Sequence, residues 1–272
     1  MEAALSTAQT EQFRQDGYLV FHKLVPAAAC AAMLAVVQDH LCDAVEPLEY
    51  EAELGYPGAP ASLQAPGGKT IRRLRSAYQR HACFRTWAED PRIVAWLQQL
   101  FGEEICLVLA HHNSVMTKHP DFGTATGWHR DIRYWRFDKP DLISVWLALG
   151  SETATNGALH VIPGSHRLNI RREQLDELDF LRPEHPENQA LFAKGKVLEL
   201  EQGDVVFFHS GLFHAAGRND SNAVKNSVVF AYRGASNLPL SGSRSAAAGD
   251  VQLKAAACKN AQETAASWTQ IN

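Results

Sequence analysis

From Ile105 onward the chain becomes a succession of short runs rich in β-branched and aromatic residues, each closed by Gly, Pro, Asn or Asp. Runs at 105–116, 126–132, 142–150, 158–162, 196–200, 204–209, 211–216 and 226–233 have the length and patterning of strands. Short strands divided by turn residues predict a β-sandwich or jelly-roll barrel. The first hundred residues read differently, as mainly helical. Ser6 and Gln9 have capping-box spacing ahead of Phe13, and Gly17 is a stop signal. Pro26 opens an alanine-rich helix that runs to about Val45. Asp90-Pro91 starts another, with Ile93, Val94, Trp96, Leu97 and Leu100 as its apolar face and Gly102 as its end. Between them, 57–69 is rich in Gly, Pro, Ala and Ser and reads as a mobile loop.

With 272 residues, 46% of them hydrophobic, one large core is affordable, so 1–272 is expected to be a single domain. Its expected parts are a mainly helical 1–103, a β core at 104–234 and a tail or lid at 235–272. The core carries an insertion at 168–194 with a short helix from Arg172 to Leu178. The net charge of −4 gives no reason to expect nucleic acid or an anionic membrane as a partner. Cys30, Cys42, Cys83, Cys106 and Cys258 are scattered and odd in number, which fits reduced thiols better than disulfides or zinc ligands. Without a signal-like N-terminus or a long apolar run, the expected location is cytoplasmic.

Within the β region, Trp128-His129-Arg130-Asp131 places an imidazole and a carboxylate two residues apart. On a strand, alternate side chains share a face, so His129 and Asp131 would aim at one point. A second imidazole would complete a two-histidine, one-carboxylate face that leaves positions open for cosubstrate and oxygen, as in non-haem Fe(II) oxygenases. The stretch 203–214, some 85 residues on, offers His214 and also His209, while His166 sits in a Pro-Gly-Ser-His turn.

Several motifs follow in order: 128–135, Val145-Trp146-Leu147-Ala148-Leu149, Asn156-Gly157-Ala158-Leu159 and Pro163-Gly164-Ser165-His166-Arg167. In this order they resemble the phytanoyl-CoA dioxygenase family of Fe(II)/2-oxoglutarate-dependent oxygenases, from about Thr10 to about Arg233. The resemblance implies a double-stranded β-helix core of jelly-roll or cupin-like type with flanking helices. It also implies Fe(II), 2-oxoglutarate and O2, with release of succinate and CO2. It favours His214 as the distal ligand, ahead of the Gly217-Arg218-Asn219 loop, and makes His166 part of a structural turn. Related halogenases replace the carboxylate with a small residue, so the retained Asp131 argues for oxygen transfer. Family members place an arginine eleven residues after the distal histidine, against the cosubstrate's far carboxylate. Here that position is Lys225, a point charge instead of a planar fork, with Ser227 on the same strand face. Arg218 is the alternative in a nearby loop, whereas Arg233 lies roughly 26 Å along the strand from Lys225. By its offset from His129, His112 matches a residue that lines the cosubstrate; a core histidine is the other reading. Trp146 stands beside the metal or in the core.

Arg72, Arg73 and Arg75 after the Gly-rich loop, with Arg130, Arg133, Tyr134 and Trp135 around the first ligand, can form a basic, aromatic mouth. That mouth suits an anionic group on a small-molecule substrate. The expected activity is hydroxylation of a small organic molecule. A cupin-like metal-dependent hydrolase or isomerase, and a non-catalytic binding module of the same fold, are the alternatives.

Overall fold

The computed structural model describes residues 4–254. The helical part holds α1 (Thr7–Asp16), α2 (Ala27–Cys42), α3 (Ala77–Arg80), α4 (Ala82–Ala88) and α5 (Pro91–Phe101). The Ser6 capping box and a left-handed Gly17 bound α1, and α5 has an Asp90 cap and Gly102 at its end. This region also contains strands that the sequence pattern hides: β1 (Tyr18–Phe21), β2 (Leu48–Tyr50) and β3 (Ile71–Arg75). The expected β run follows as β4 (Ile105–Lys118), β5 (Thr126–His129), β6 (Leu142–Ala148), β7 (Leu159–Val161), β8 (Lys196–Leu198), β9 (Val205–His209), β10 (His214–Ala216) and β11 (Lys225–Gly234). The insertion places α6 at Pro186–Phe192, and only a 3-10 turn, Arg172–Gln174, stands where a helix to Leu178 was expected. Pro186 at the first helical position of α6 explains the shift, because its fixed φ favours initiation there. Beyond Gly234, α7 (Arg244–Ala248) leads into β12 (Asp250–Leu253). The rest of the expected tail, with Cys258, lies outside the described residues.

These strands make two antiparallel sheets. The larger runs β1-β9-β6-β11-β4-β3-β2, with β12 added to β4, and the smaller runs β5-β10-β7-β8. Period-2 alternation sorts the side chains. Val145, Leu147, Val205, Phe207, Val228 and Phe230 join the core shared with Met33, Phe84, Trp87 and Leu97 of the helices. Their strand neighbours Trp146, Ala148, Val206, Phe208 and Val229 pack instead with Leu159, Val161 and Leu198 of the smaller sheet. The larger sheet is thus buried on both faces, by helices on one side and by the smaller sheet on the other. That is a jelly-roll arrangement, and the site lies between the sheets.

One irregularity shapes that site. In the β4–β11 ladder, Phe230 pairs with Asn113 but Ala231 pairs with Val108, so residues 109–112 leave the ladder as a wide bulge. His111 takes a left-handed φ of 61° within it.

Candidate active site

Strand pairing sets the first half of the site. β10 pairs antiparallel with β5 in a register that puts His214 opposite His129, with ring centroids 4.2 Å apart. The Nδ1 of His129 lies 2.9 Å from the Gly127 carbonyl, and that of His214 lies 3.1 Å from the Leu212 carbonyl. A carbonyl can only accept, so each Nδ1 carries a proton, which in the neutral ring leaves Nε2 as the nitrogen that can ligate a metal. Both Nε2 atoms point at Asp131 Oδ1, at 3.6 and 3.4 Å.

Asp131 arrives differently from the strand geometry expected of it. β5 ends at His129, and Asp131 opens a 3-10 turn, Asp131–Tyr134. The turn is anchored by the Ile132 N–H donating to the Ser210 carbonyl at 3.0 Å. Convergence with His129 therefore comes from a strand end and a turn, not from alternation along one strand. Asp131 is only 1% exposed, and neither carboxylate oxygen receives a hydrogen bond. Burial pushes its pKa up, yet His112, His214 and His129 outweigh this and hold it well below the usual carboxylate range. Burial, then the neighbouring His214, lowers the pKa of His129 to about 4, so its imidazole is neutral, the form that binds a metal.

Burial lowers the pKa of His214 but Asp131 raises it on balance, so this ionised, buried carboxylate without a hydrogen bond draws positive charge to the point where the three side chains meet. The ligand atoms of His129, Asp131 and His214 lie within 4.8 Å of one another, so the donor set fits one metal ion. His209 and His166 stand apart. His209 Nδ1 accepts from the Gly211 N–H at 2.9 Å, and His166 Nε2 lies 3.2 Å from the Arg14 carbonyl.

The triad opens on a cavity also lined by Lys225, Trp146, His112 and Tyr134. His112 comes from the β4 bulge, with Nδ1 3.0 Å from Ser144 Oγ and 3.4 Å from Asp131 Oδ2. Lys225 Nζ reaches the cavity but already donates to Glu152 Oε2 at 3.0 Å. Ser227 sits on the same strand face, as expected, but its single hydroxyl proton goes to Glu152 Oε1 at 2.5 Å, so it is not free for a cosubstrate. Trp146 Nε1 donates to that oxygen at 3.0 Å. Glu152 is fully buried and was missed by sequence reasoning, since its donors lie up to 75 residues away and no local pattern marks it. Arg218 donates to the Asp121 carbonyl, and Arg233 is paired with Asp250 at 2.6 Å; neither lines the cavity.

The expected mouth is only partly assembled. Arg72 and Arg73 belong to β3 and not to a loop; both are buried, line the cavity, and pair with Glu51 and Glu49 at 3.3 and 3.4 Å. Arg75, at the outer end of β3, is exposed and does not reach it. Arg130 packs over the Phe213 ring, away from the cavity. Trp135 is core, its Nε1 donating to the Ala110 carbonyl at 3.0 Å. Tyr134 stays at the cavity, stacked on His111 and joined through its hydroxyl to Tyr56 at 2.7 Å. Tyr56 and Phe180 had no motif to announce them, yet Tyr56 lines the cavity and Phe180 packs edge-on to His129.

Comparison with known proteins agrees with this geometry. The sequence pattern that defines the phytanoyl-CoA dioxygenase family matches residues 13–227. Human peroxisomal phytanoyl-CoA dioxygenase is 26% identical over 235 residues, covering 82% of this chain and 67% of its own. Ectoine dioxygenase of Bordetella bronchiseptica is 25% identical over 251 residues, covering 86% of this chain and 77% of its own. The crystal structure of EctD from S. alaskensis with 2-oxoglutarate and 5-hydroxyectoine superposes with a TM-score of 0.70 at 22% identity, covering 87% of this chain and 78% of that one. The epimerase SnoN from nogalamycin biosynthesis gives 0.69 at 21% identity, covering 87% and 84%. The fold is therefore the one these enzymes share, and the chain belongs to the phytanoyl-CoA dioxygenase family of Fe(II)- and 2-oxoglutarate-dependent dioxygenases.

Proposed function

We propose that this enzyme hydroxylates a small organic molecule carrying an anionic group, with His129, Asp131 and His214 holding Fe(II). The observation that carries the assignment is the buried Asp131 carboxylate, without a hydrogen bond, facing the Nε2 atoms of two histidines. Bound Fe(II) supplies oxygen activation at the expense of 2-oxoglutarate, which leaves as succinate and CO2.

The chain's own residues orient and exclude water. The Nδ1–H bonds of His129 and His214 fix the tautomer and aim of each ring. Phe208 packs against His214 and Phe180 against His129, each with ring centroids within 5.5 Å, which dries the metal's surroundings. Lys225 addresses the far carboxylate of 2-oxoglutarate, and Tyr56, Tyr134 and Arg73 line the approach for substrate.

The test is oxygen-dependent succinate release by the Fe(II)-loaded protein, measured across a panel of small organic acids. Stimulation by a panel member, lost in His129→Ala and His214→Ala, is the expected result. Tight zinc retention with no turnover of 2-oxoglutarate would instead favour a hydrolytic or isomerising cupin-like enzyme.

A further inference from the structure

The cavity holds a second lysine beside the Lys225 position. Lys118 is the cross-strand partner of Lys225 in the β4–β11 register, is 6% exposed, and lines the same cavity. Its stem lies in a slot made by two glycines. A Cβ on Gly157 would come within 2.6 Å of Lys118 Cδ, and one on Gly123 within 2.9 Å of its Cγ. Lys118 Nζ donates to the Gly217 carbonyl at 2.5 Å, while its approaches to the Thr124 and Ala216 carbonyls are long, at 3.4 and 3.5 Å. No carboxylate is bonded to it, in contrast with every other lysine or arginine that lines the cavity. Arg72 has Glu51, Arg73 has Glu49, and Lys225 has Glu152. Three of these four basic side chains thus have a carboxylate partner, and Lys118 has none. Burial, Arg72 and Lys225 all push its pKa well down, a strain that an incoming carboxylate relieves.

We propose that Lys118, together with Lys225, receives the far carboxylate of the cosubstrate, and that Glu152 sets the charge of this subsite so that one carboxylate neutralises it. The ammonium gives up its two long carbonyl contacts for a charge-assisted bond, while Glu152 holds Lys225, Ser227 and Trp146 in place. The inference rests on the cosubstrate being 2-oxoglutarate.

Isothermal titration of the Mn(II)-substituted protein with 2-oxoglutarate and with 2-oxobutyrate, which keeps the keto acid but lacks the far carboxylate, separates the cases. Lys118→Met should weaken 2-oxoglutarate at least ten-fold and leave 2-oxobutyrate within two-fold. Lys118→Gln, which keeps N–H donors for the carbonyls, should lose the same preference, whereas a purely structural lysine would be rescued by it. Glu152→Gln removes the negative charge that pairs with Lys225 and should raise the preference for 2-oxoglutarate. Wild-type preference in either Lys118 variant overturns the role of Lys118, and an unchanged or lower preference in Glu152→Gln overturns that of Glu152. Failure of the wild-type protein to bind either acid would instead overturn the proposed function.

Discussion

Asp131 concentrates the argument at the residue scale. Its carboxylate is ionised, buried and without a hydrogen bond, and the imidazoles around it favour that ionised form in the fold. Asp131→Asn removes that charge and its attraction to the imidazoles, so the melting temperature of the metal-free protein should fall by a few degrees. The same substitution should abolish succinate release and remove most of the further thermal stabilisation that added metal gives the wild-type protein. Differential scanning calorimetry with and without Mn(II) checks both halves. A metal-induced shift as large in the variant as in the wild type would remove Asp131 from the ligand set. The chemistry of this residue was legible from His-x-Asp spacing, but its backbone was not, because that spacing fits a strand and a strand-to-turn junction equally well.

At the scale of elements, local signals were read where they were strong. The capped and amphipathic helix α5 is one case. Asp90 accepts the Arg92 backbone N–H at 2.9 Å and also binds the Arg92 guanidinium at 2.7 Å, ahead of Pro91 at the first helical position. Asp90→Ala should therefore cost about 1–2 kcal/mol, seen as a melting temperature lower by a few degrees, with succinate release per folded molecule unchanged. The eight strands from β4 to β11 were legible because β-branched and aromatic residues dominate them. β1, β2 and β3 were hidden for a physical reason: they are short, they lie among helical patterns, and β3 reads Ile-Arg-Arg-Leu-Arg. Burial of Arg72 becomes tolerable only through Glu51, 21 residues back, a pairing no local window contains. The bulge at 109–112 was equally invisible, since the segment keeps a strand-like composition while the ladder skips it. That bulge is what brings His112 to Asp131.

At the scale of the whole molecule, the site is divided between the two sheets, and the division predicts how ligands stabilise the fold. His129 and His214 belong to the smaller sheet, and Asp131 to the turn that leaves β5. Lys118, Lys225 and Trp146 belong to the larger one, on β4, β11 and β6. A metal ion alone therefore ties together elements of one sheet and the turn beside it. A dicarboxylate that chelates the metal at one end and meets the lysines at the other would span the gap between the sheets. Binding only to the folded state stabilises it by about 2.7 kcal/mol at a ligand concentration one hundred times the dissociation constant, and that stabilisation should be distributed according to which strands the ligand touches. In hydrogen-exchange measurements, Mn(II) should slow exchange in β5 and β10 while leaving the Lys118 and Lys225 ends of β4 and β11 near their metal-free rates. Adding 2-oxoglutarate should then slow those ends, whereas 2-oxobutyrate, which has nothing to offer the lysines, should not. Equal protection of β4 and β11 by both acids would mean that the sheets are coupled through their shared apolar core and not through the cosubstrate.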